Sequence, residues 1–376
     1  MIYLDNSATT YPKPASVVAA TVSANKNFSF NSGRGGYSAS IKTSEKIFSV
    51  REKAAALVNA KPENIIFTHN CTLALNMAIK GCIKSGDHII ISSLEHNAVS
   101  RVVYTLKEYG DVTFSVAEFN YNPDKTLKSF KNLIKSNTSL IVCTMASNVF
   151  GCAPPIRRIG ELAKKNNIRF IVDGAQGVGL FDTDIQRDNI DILCTAGHKG
   201  LYGPLSTGFM AINNDVKMKT IVEGGTGSSS LMLKQPEFLP DRFEAGTLNN
   251  SGVIGMGAGI DFVNIKGINK IYTHEKNIIS FMYNEFSKND NITLYTPHPN
   301  KFESAPILAF NYKDYSSEKT AALLGDAGIA VRGGFHCAPL AHESFGTNDR
   351  GVVRISPSVF TSYFECEKFL NYLKKL

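Results

Sequence analysis

Seven short runs rich in β-branched residues, 65–68, 88–93, 113–119, 140–146, 169–173, 191–195 and 208–212, alternate with stretches of helical apolar spacing. Such alternation predicts an α/β fold, with a mostly parallel seven-stranded sheet and helices on both faces. The stretch 155–166 places Ile156, Ile159, Leu162 and Ala163 on one helical face, as a crossover helix between parallel strands requires. Beyond about residue 251 the pattern changes to long helical segments, 253–265 and 268–286, followed by short strands near 307–310 and 352–356. This reads as a smaller C-terminal α+β domain. The expected division is a large domain over 15–250 and a small one over 1–14 and 251–376, the first residues being too few to form a unit of their own.

In an open α/β sheet, ligands collect at the carboxyl ends of the strands. Asp173, the turn 69–72 and the segment 197–199 all fall there. Ile171-Val172-Asp173-Gly174-Ala175-Gln176 and Gly197-His198-Lys199-Gly200 set an acid at one strand end and a lysine at another. Each alone reads as a helix cap or a solvated lysine. Together they suit pyridoxal phosphate: a lysine bonds covalently to the cofactor aldehyde, and a carboxylate facing the pyridine nitrogen keeps it protonated.

Other residues fit around that pair. Thr72 opens a helical stretch, so the backbone N–H groups of 70–72 are placed to cradle a phosphate, although an ordinary strand-to-helix turn looks the same. His96 follows the strand ending at Ser93; its ring suits stacking on a pyridine or moving a proton, and equally suits packing under a loop. Asn148 and Gln176 are candidate donors to the cofactor's phenolic oxygen, or loop caps. Cys337 differs from Cys71, Cys82, Cys143, Cys152, Cys194 and Cys366 because glycines and a proline surround it, which implies a mobile loop thiol. Arg332 or a protonated His336 beside it would favour the thiolate. Arg354 is a charge inside an apolar strand and reads either as a snorkelling side chain or as a bidentate clamp for a carboxylate.

Composition narrows the alternatives. The formal charge is +7, but the lysines are dispersed without a basic, aromatic-interleaved run, which argues against nucleic acid. No stretch reaches membrane-spanning length, the start at Met1 lacks a secretory pattern, and the seven cysteines show no metal-ligand spacing. The eight histidines form no convincing ligand cluster either, so no metal site is expected. A cytoplasmic, reduced protein is the expectation.

The chain resembles the cysteine desulfurase and selenocysteine lyase family of the class V aminotransferase fold, a fold-type I pyridoxal-phosphate-dependent transferase. The resemblance runs from end to end through Tyr3-Leu4-Asp5-Asn6-Ser7-Ala8, Glu95-His96, Ser147-Asn148-Val149-Phe150-Gly151, Val172-Asp173-Gly174-Ala175-Gln176, Gly197-His198-Lys199, Phe243-Glu244-Ala245-Gly246-Thr247 and the segment 332–339. It implies a homodimer in which Lys199 binds the cofactor covalently and His96 stacks on its ring. It implies further that Thr72, Cys71, His198 and the partner subunit's Thr247 line the phosphate site, with Asp173, Gln176 and Asn148 on the ring. Arg354, with Asn148 and Arg332, would hold the substrate carboxylate, and Cys337 would receive sulfur from L-cysteine, or selenium from L-selenocysteine, for a possible acceptor protein. Arg34 matches a position near the active site without an assigned role. The chain departs from the family pattern at Ala196 and Cys71, where hydroxyl residues are common, at the additional Gly200, and at Phe335. Another class V lyase or aminotransferase fits the lysine and aspartate but gives no reason for the loop thiol.

Overall fold

The computed structural model describes residues 1–33, 35–213 and 216–375. The strands are β1 (Ile2–Tyr3), β2 (Ile65–Thr68), β3 (Asp87–Ser92), β4 (Val112–Ala117), β5 (Thr138–Thr144), β6 (Arg169–Asp173), β7 (Ile192–Ala196), β8 (Gly208–Ile212), β9 (Ile292–Leu294), β10 (Leu308–Tyr312), β11 (Ile329–Ala330) and β12 (Val353–Ile355). The α-helices are α1 (Ala15–Asn27), α2 (Ser38–Val58), α3 (Cys71–Cys82), α4 (Asn97–Glu108), α5 (Pro123–Asn132), α6 (Ile156–Lys165), α7 (Asn250–Lys266), α8 (Ile268–Phe286), α9 (Ser317–Asp326), α10 (Pro339–Ser344) and α11 (Tyr363–Leu373).

Strands β2 to β8 form one seven-stranded sheet in the order β2-β8-β7-β6-β5-β3-β4, parallel except for β8, which runs against both neighbours. Alternate residues of these strands feed two separate cores, because successive side chains point to opposite faces. Ile65, Phe67, Ile90, Ile141, Phe170, Val172 and Leu193 pack against α2, α6 and α7; Ile66, Ile89, Ile91, Val142, Ile171 and Ile192 pack against α3 and α4. Helices therefore cover both faces, as expected.

The smaller lobe is a three-stranded antiparallel sheet, β12-β10-β9, with α8 and α11 contributing to its core and Leu4 of the N-terminal segment buried in it. One boundary differs from the sequence reading. Helix α7 lies beyond residue 250, yet Val253, Ile254, Met256 and Ile260 are buried in the large domain's core, so by packing the smaller lobe begins after α7. Two strands also end earlier than expected, β4 at Ala117 and β5 at Thr144. Residues 145–148 are already a turn, held by the Met145 N–H donating to Asp173 O at 2.9 Å.

Candidate active site

Thr68, Ser92, Thr144, Asp173 and Ala196 close β2, β3, β5, β6 and β7 along one edge of the sheet. Asp173 is buried there, and its Oδ1 accepts the Ala175 N–H at 2.9 Å and the Cys71 thiol at 3.4 Å. Its Oδ2 accepts no hydrogen bond among the described residues. Lys199 stands three residues beyond β7 in a loop closed by Tyr202 N–H donating to Lys199 O at 2.8 Å and Gly203 N–H donating to Gly197 O at 2.7 Å. Gly200 has a steric reason: a Cβ there would lie 2.3 Å from Val178 O, where the lysine loop crosses the turn after β6. The Lys199 amine donates no hydrogen bond among the described residues. Burial lowers its pKa, Arg354 and Arg332 add to that, and Asp173 and Cys71 oppose it. A half-buried lysine with no hydrogen bond at its amine among the described residues and with depressed basicity is suited to covalent chemistry with a carbonyl.

Helix α3 starts at the same edge, capped by Asn70 Oδ1 accepting the Leu73 N–H at 2.8 Å, with Thr72 exposed in the first turn. The unpaired N–H groups of that turn form an anion site. His198 is tethered by its carbonyl, which accepts the Thr10 N–H at 3.1 Å, the Thr9 and Thr10 hydroxyls, and Lys13 Nζ at 2.9 Å. Its buried ring Nδ1 has no partner among the described residues. Burial, reinforced by Lys199 and Lys13, lowers the imidazole pKa to about 4, so the ring is neutral at pH 7. Ala196 packs into the apolar core, and the Thr195 hydroxyl donates to Gly174 O at 3.4 Å, so Thr195 does not stand in for a phosphate hydroxyl. Cys71 likewise turns its thiol to Asp173. Thr247 is exposed in a cleft beside His69 and Ser206. Arg34 lies outside the described residues.

His96 caps α4, its Nδ1 accepting the Ala98 N–H at 3.0 Å, which places the neutral ring's proton on Nε2. Burial lowers its pKa against the opposing pull of Asp173. Gln176 is turned to the N-terminal segment, its Nε2 donating to Ser7 O at 3.0 Å. Asn148 Nδ2 donates to His336 O at 2.7 Å, while its Oδ1 is buried without a partner among the described residues.

The thiol end is better ordered than the glycine-rich sequence implies. His336 and Cys337 both adopt left-handed backbone, with φ of 48° and 57°. The turn is held from several elements: Asn97 N–H donates to Cys337 O at 2.7 Å, Val352 N–H to Gly334 O at 3.1 Å, and Gly334 N–H to Ser317 Oγ at 3.1 Å. Cys337 nevertheless remains exposed, whereas Cys71, Cys82, Cys143, Cys152, Cys194 and Cys366 are all buried. His336 does not supply a cation to it. The ring is buried, hydrogen-bonded through Nε2 to Val352 O at 3.0 Å, and its pKa is pushed down to about 2 by burial with Arg354 adding. The cation beside the thiol is Arg332, whose Nη2 stands 4.0 Å from Sγ.

Arg354 is 1% exposed and is already paired: Nη1 donates to Asn148 O at 2.8 Å and Nη2 to Asp5 Oδ1 at 2.5 Å. Each terminal nitrogen keeps one further N–H, so the fork is oriented and still able to bind. The pairing acid was missed in the sequence, although an isolated acid in the apolar start and an isolated arginine in an apolar strand are complementary signals. Glu95 belongs to the Glu95-His96 pair. It is fully buried, its Oε1 accepts the Ser92 hydroxyl and the Thr144 N–H at 2.7 Å, and burial raises its pKa to about 8.

The donor set fits pyridoxal phosphate: among the described residues, a half-buried lysine with an unpaired amine, a carboxylate with one oxygen accepting no hydrogen bond, a helix N-terminus, and orphaned buried atoms at His198 Nδ1 and Asn148 Oδ1. Comparison with known proteins agrees. The class-V aminotransferase family model matches residues 2–369. A probable cysteine desulfurase of Methanothermobacter thermautotrophicus is 31% identical, covering 100% of this chain and 94% of that protein. The apo structure of a cysteine desulfurase from Thermococcus onnurineus NA1 superposes with a TM-score of 0.93 at 29% identity, over 100% of this chain and 94% of the other. A cysteine desulfurase from Escherichia coli, solved as its S-sulfonic acid, gives a TM-score of 0.87 at 25% identity, covering 99% and 94%.

Proposed function

The chain belongs to the class-V aminotransferase family, and from that premise we propose that it is a pyridoxal-phosphate-dependent cysteine desulfurase, converting L-cysteine to L-alanine and leaving the sulfur on Cys337 as a persulfide. The observation that carries this reading is the pairing of a half-buried Lys199, its amine unpaired among the described residues and its basicity lowered by desolvation, with an exposed Cys337, the other six cysteines being buried.

Bound pyridoxal phosphate supplies the electron sink that allows the substrate's Cα–H bond to break. Lys199 would hold it covalently, Asp173 would face its ring nitrogen, and the α3 N-terminus with His198 and Thr72 would take its phosphate. Asn148 and Gln176 would flank its ring, and His96, its Nδ1 engaged by the Ala98 N–H, would present its ring face for stacking and keep Nε2 for moving a proton. The remaining N–H groups of Arg354, fixed by Asp5 and Asn148, orient the substrate carboxylate with Arg332 alongside. Depressed basicity keeps a fraction of Lys199 as the amine, whose Nζ takes the Cα proton. The Cys337 thiolate attacks the substrate sulfur. A Sγ–S bond forms, the substrate Cβ–S bond breaks, and its electron pair returns to the carbon skeleton, which is protonated to alanine. An exposed persulfide is open to a reducing thiol or a sulfur-acceptor protein.

We read the protein as a cytoplasmic homodimer. All seven cysteines are free, and no helix among the described residues is long and apolar enough to cross a membrane. The exposed Val18 and Val22 of α1, Ile41 and Phe48 of α2, and Leu231 and Leu233 form apolar surface that a second copy would cover. A partner's Thr247 then completes the phosphate site. Incubation with L-cysteine and pyridoxal phosphate is expected to yield alanine. Absence of alanine overturns the reading, and alanine formed from L-selenocysteine alone moves the activity to selenium.

A further inference from the structure

The family resemblance implies that Cys71 belongs to a phosphate turn, but its side chain leaves that turn. Cys71 is the first residue of α3, yet its thiol is buried under the sheet edge and directed at Oδ1 of Asp173, at 3.4 Å. The same oxygen accepts the Ala175 N–H at 2.9 Å, so one carboxylate oxygen carries two donors, while the other accepts no hydrogen bond among the described residues. The thiol is held in its protonated, donating form. Burial raises its pKa well above the usual thiol range, with Asp173 and Cys194 adding and Lys199 opposing.

We propose that Cys71 is a positioning residue for the cofactor's electronics: its S–H donates to Asp173 Oδ1, fixing which carboxylate oxygen faces the pyridine nitrogen and how much negative charge the carboxylate presents to it. A thiol is a weaker donor than the hydroxyl common at this position, so it draws less charge from the carboxylate than a serine or threonine would. Cys71 touches neither substrate nor the reacting atoms and acts through Asp173 alone. The inference rests on the pyridoxal-phosphate reading given above.

The test separates the two claims. Wild type, Cys71→Ala and Cys71→Ser are loaded with pyridoxal phosphate labelled with nitrogen-15 in the ring, and the nitrogen chemical shift is recorded. Alanine removes the donor and serine strengthens it, so the two variants are expected to move the ring signal in opposite directions from wild type. Signals that coincide with wild type, or that move in the same direction as a packing change would cause, overturn the role of Cys71. Failure of the wild type itself to take up the cofactor overturns the underlying reading instead. Infrared spectra of the cofactor-free protein provide a second measurement should a variant not fold. The S–H stretch of Cys71 is expected at a hydrogen-bonded frequency in wild type and to shift in Asp173→Asn, and an S–H band unaffected by that substitution contradicts the contact.

Discussion

The lysine end and the thiol end of the site are built by opposite means. Asp173 closes a parallel strand and is buried, while His198 and Lys199 follow the next strand, half-buried, with basicities lowered chiefly by desolvation. Cys337 sits on a turn between two short elements of the smaller lobe, exposed, with one arginine near it. Such a contrast suits a two-stage reaction. Proton movement gains from a dry environment in which charges interact strongly, whereas a sulfur that must be handed on has to remain reachable. What the ends share is rigidity, since backbone hydrogen bonds from α4 and from the strand following the loop hold the thiol turn.

Substitutions at the two ends should separate binding from transfer. Lys199→Ala is expected to remove both the absorbance of covalently held cofactor and alanine formation, the latter by on the order of 10³-fold or more. Cys337→Ala should keep the absorbance of wild type and lose sulfide and alanine production from cysteine by a comparable factor of roughly 10³. If the two variants lose cofactor binding alike, the division between the ends is wrong.

A smaller effect is expected where the ends meet. Asp5→Ala leaves the buried Arg354 without its carboxylate, and loss of one partner of such a pair costs about 3 kcal/mol, read as a lower midpoint of thermal unfolding. The KM for cysteine should rise in parallel, because the fork is no longer aimed. Unchanged KM would show that Arg354 does not meet the substrate.

The mildest test concerns the seam between the lobes. Tyr202, three residues after Lys199, donates its hydroxyl to Glu275 Oε1 at 3.0 Å and accepts the Val359 N–H at 3.1 Å. Burial raises the Glu275 pKa from 4.5 to about 8. A folded pKa above the unfolded one means that the proton-linked stability is full below pH 4.5 and is lost as pH rises through 8. Glu275→Gln carries no such proton, so its melting temperature relative to wild type should climb between pH 5 and pH 8, by a few degrees at most. A pH-independent difference would show that Glu275 is ionised when folded.

How much of this was legible in the sequence follows from the range of the interactions. Strand–helix alternation is local, and the seven-stranded sheet emerged from it; Asp173, Lys199 and Cys337 stood out by their immediate neighbours. The core that helix α7 joins is not legible in the sequence, because the helix is apolar on all sides and gives no amphipathic signal. What holds the thiol loop is hidden because its anchors Asn97 and Asn148 lie far away in the chain. The Asp5–Arg354 pair spans nearly the whole sequence, and the direction of the Cys71 thiol is a matter of side-chain rotamer that spacing does not encode.

The central claim, that the two ends act in sequence on one substrate, is tested most directly by mass analysis of the peptide containing Cys337 after a single addition of L-cysteine, with alanine quantified alongside. The account predicts one added sulfur atom on Cys337, removable by a reducing thiol, and one alanine for each persulfide formed. Alanine appearing while Cys337 stays unmodified, together with sulfide release at the wild-type rate by Cys337→Ala, would contradict it.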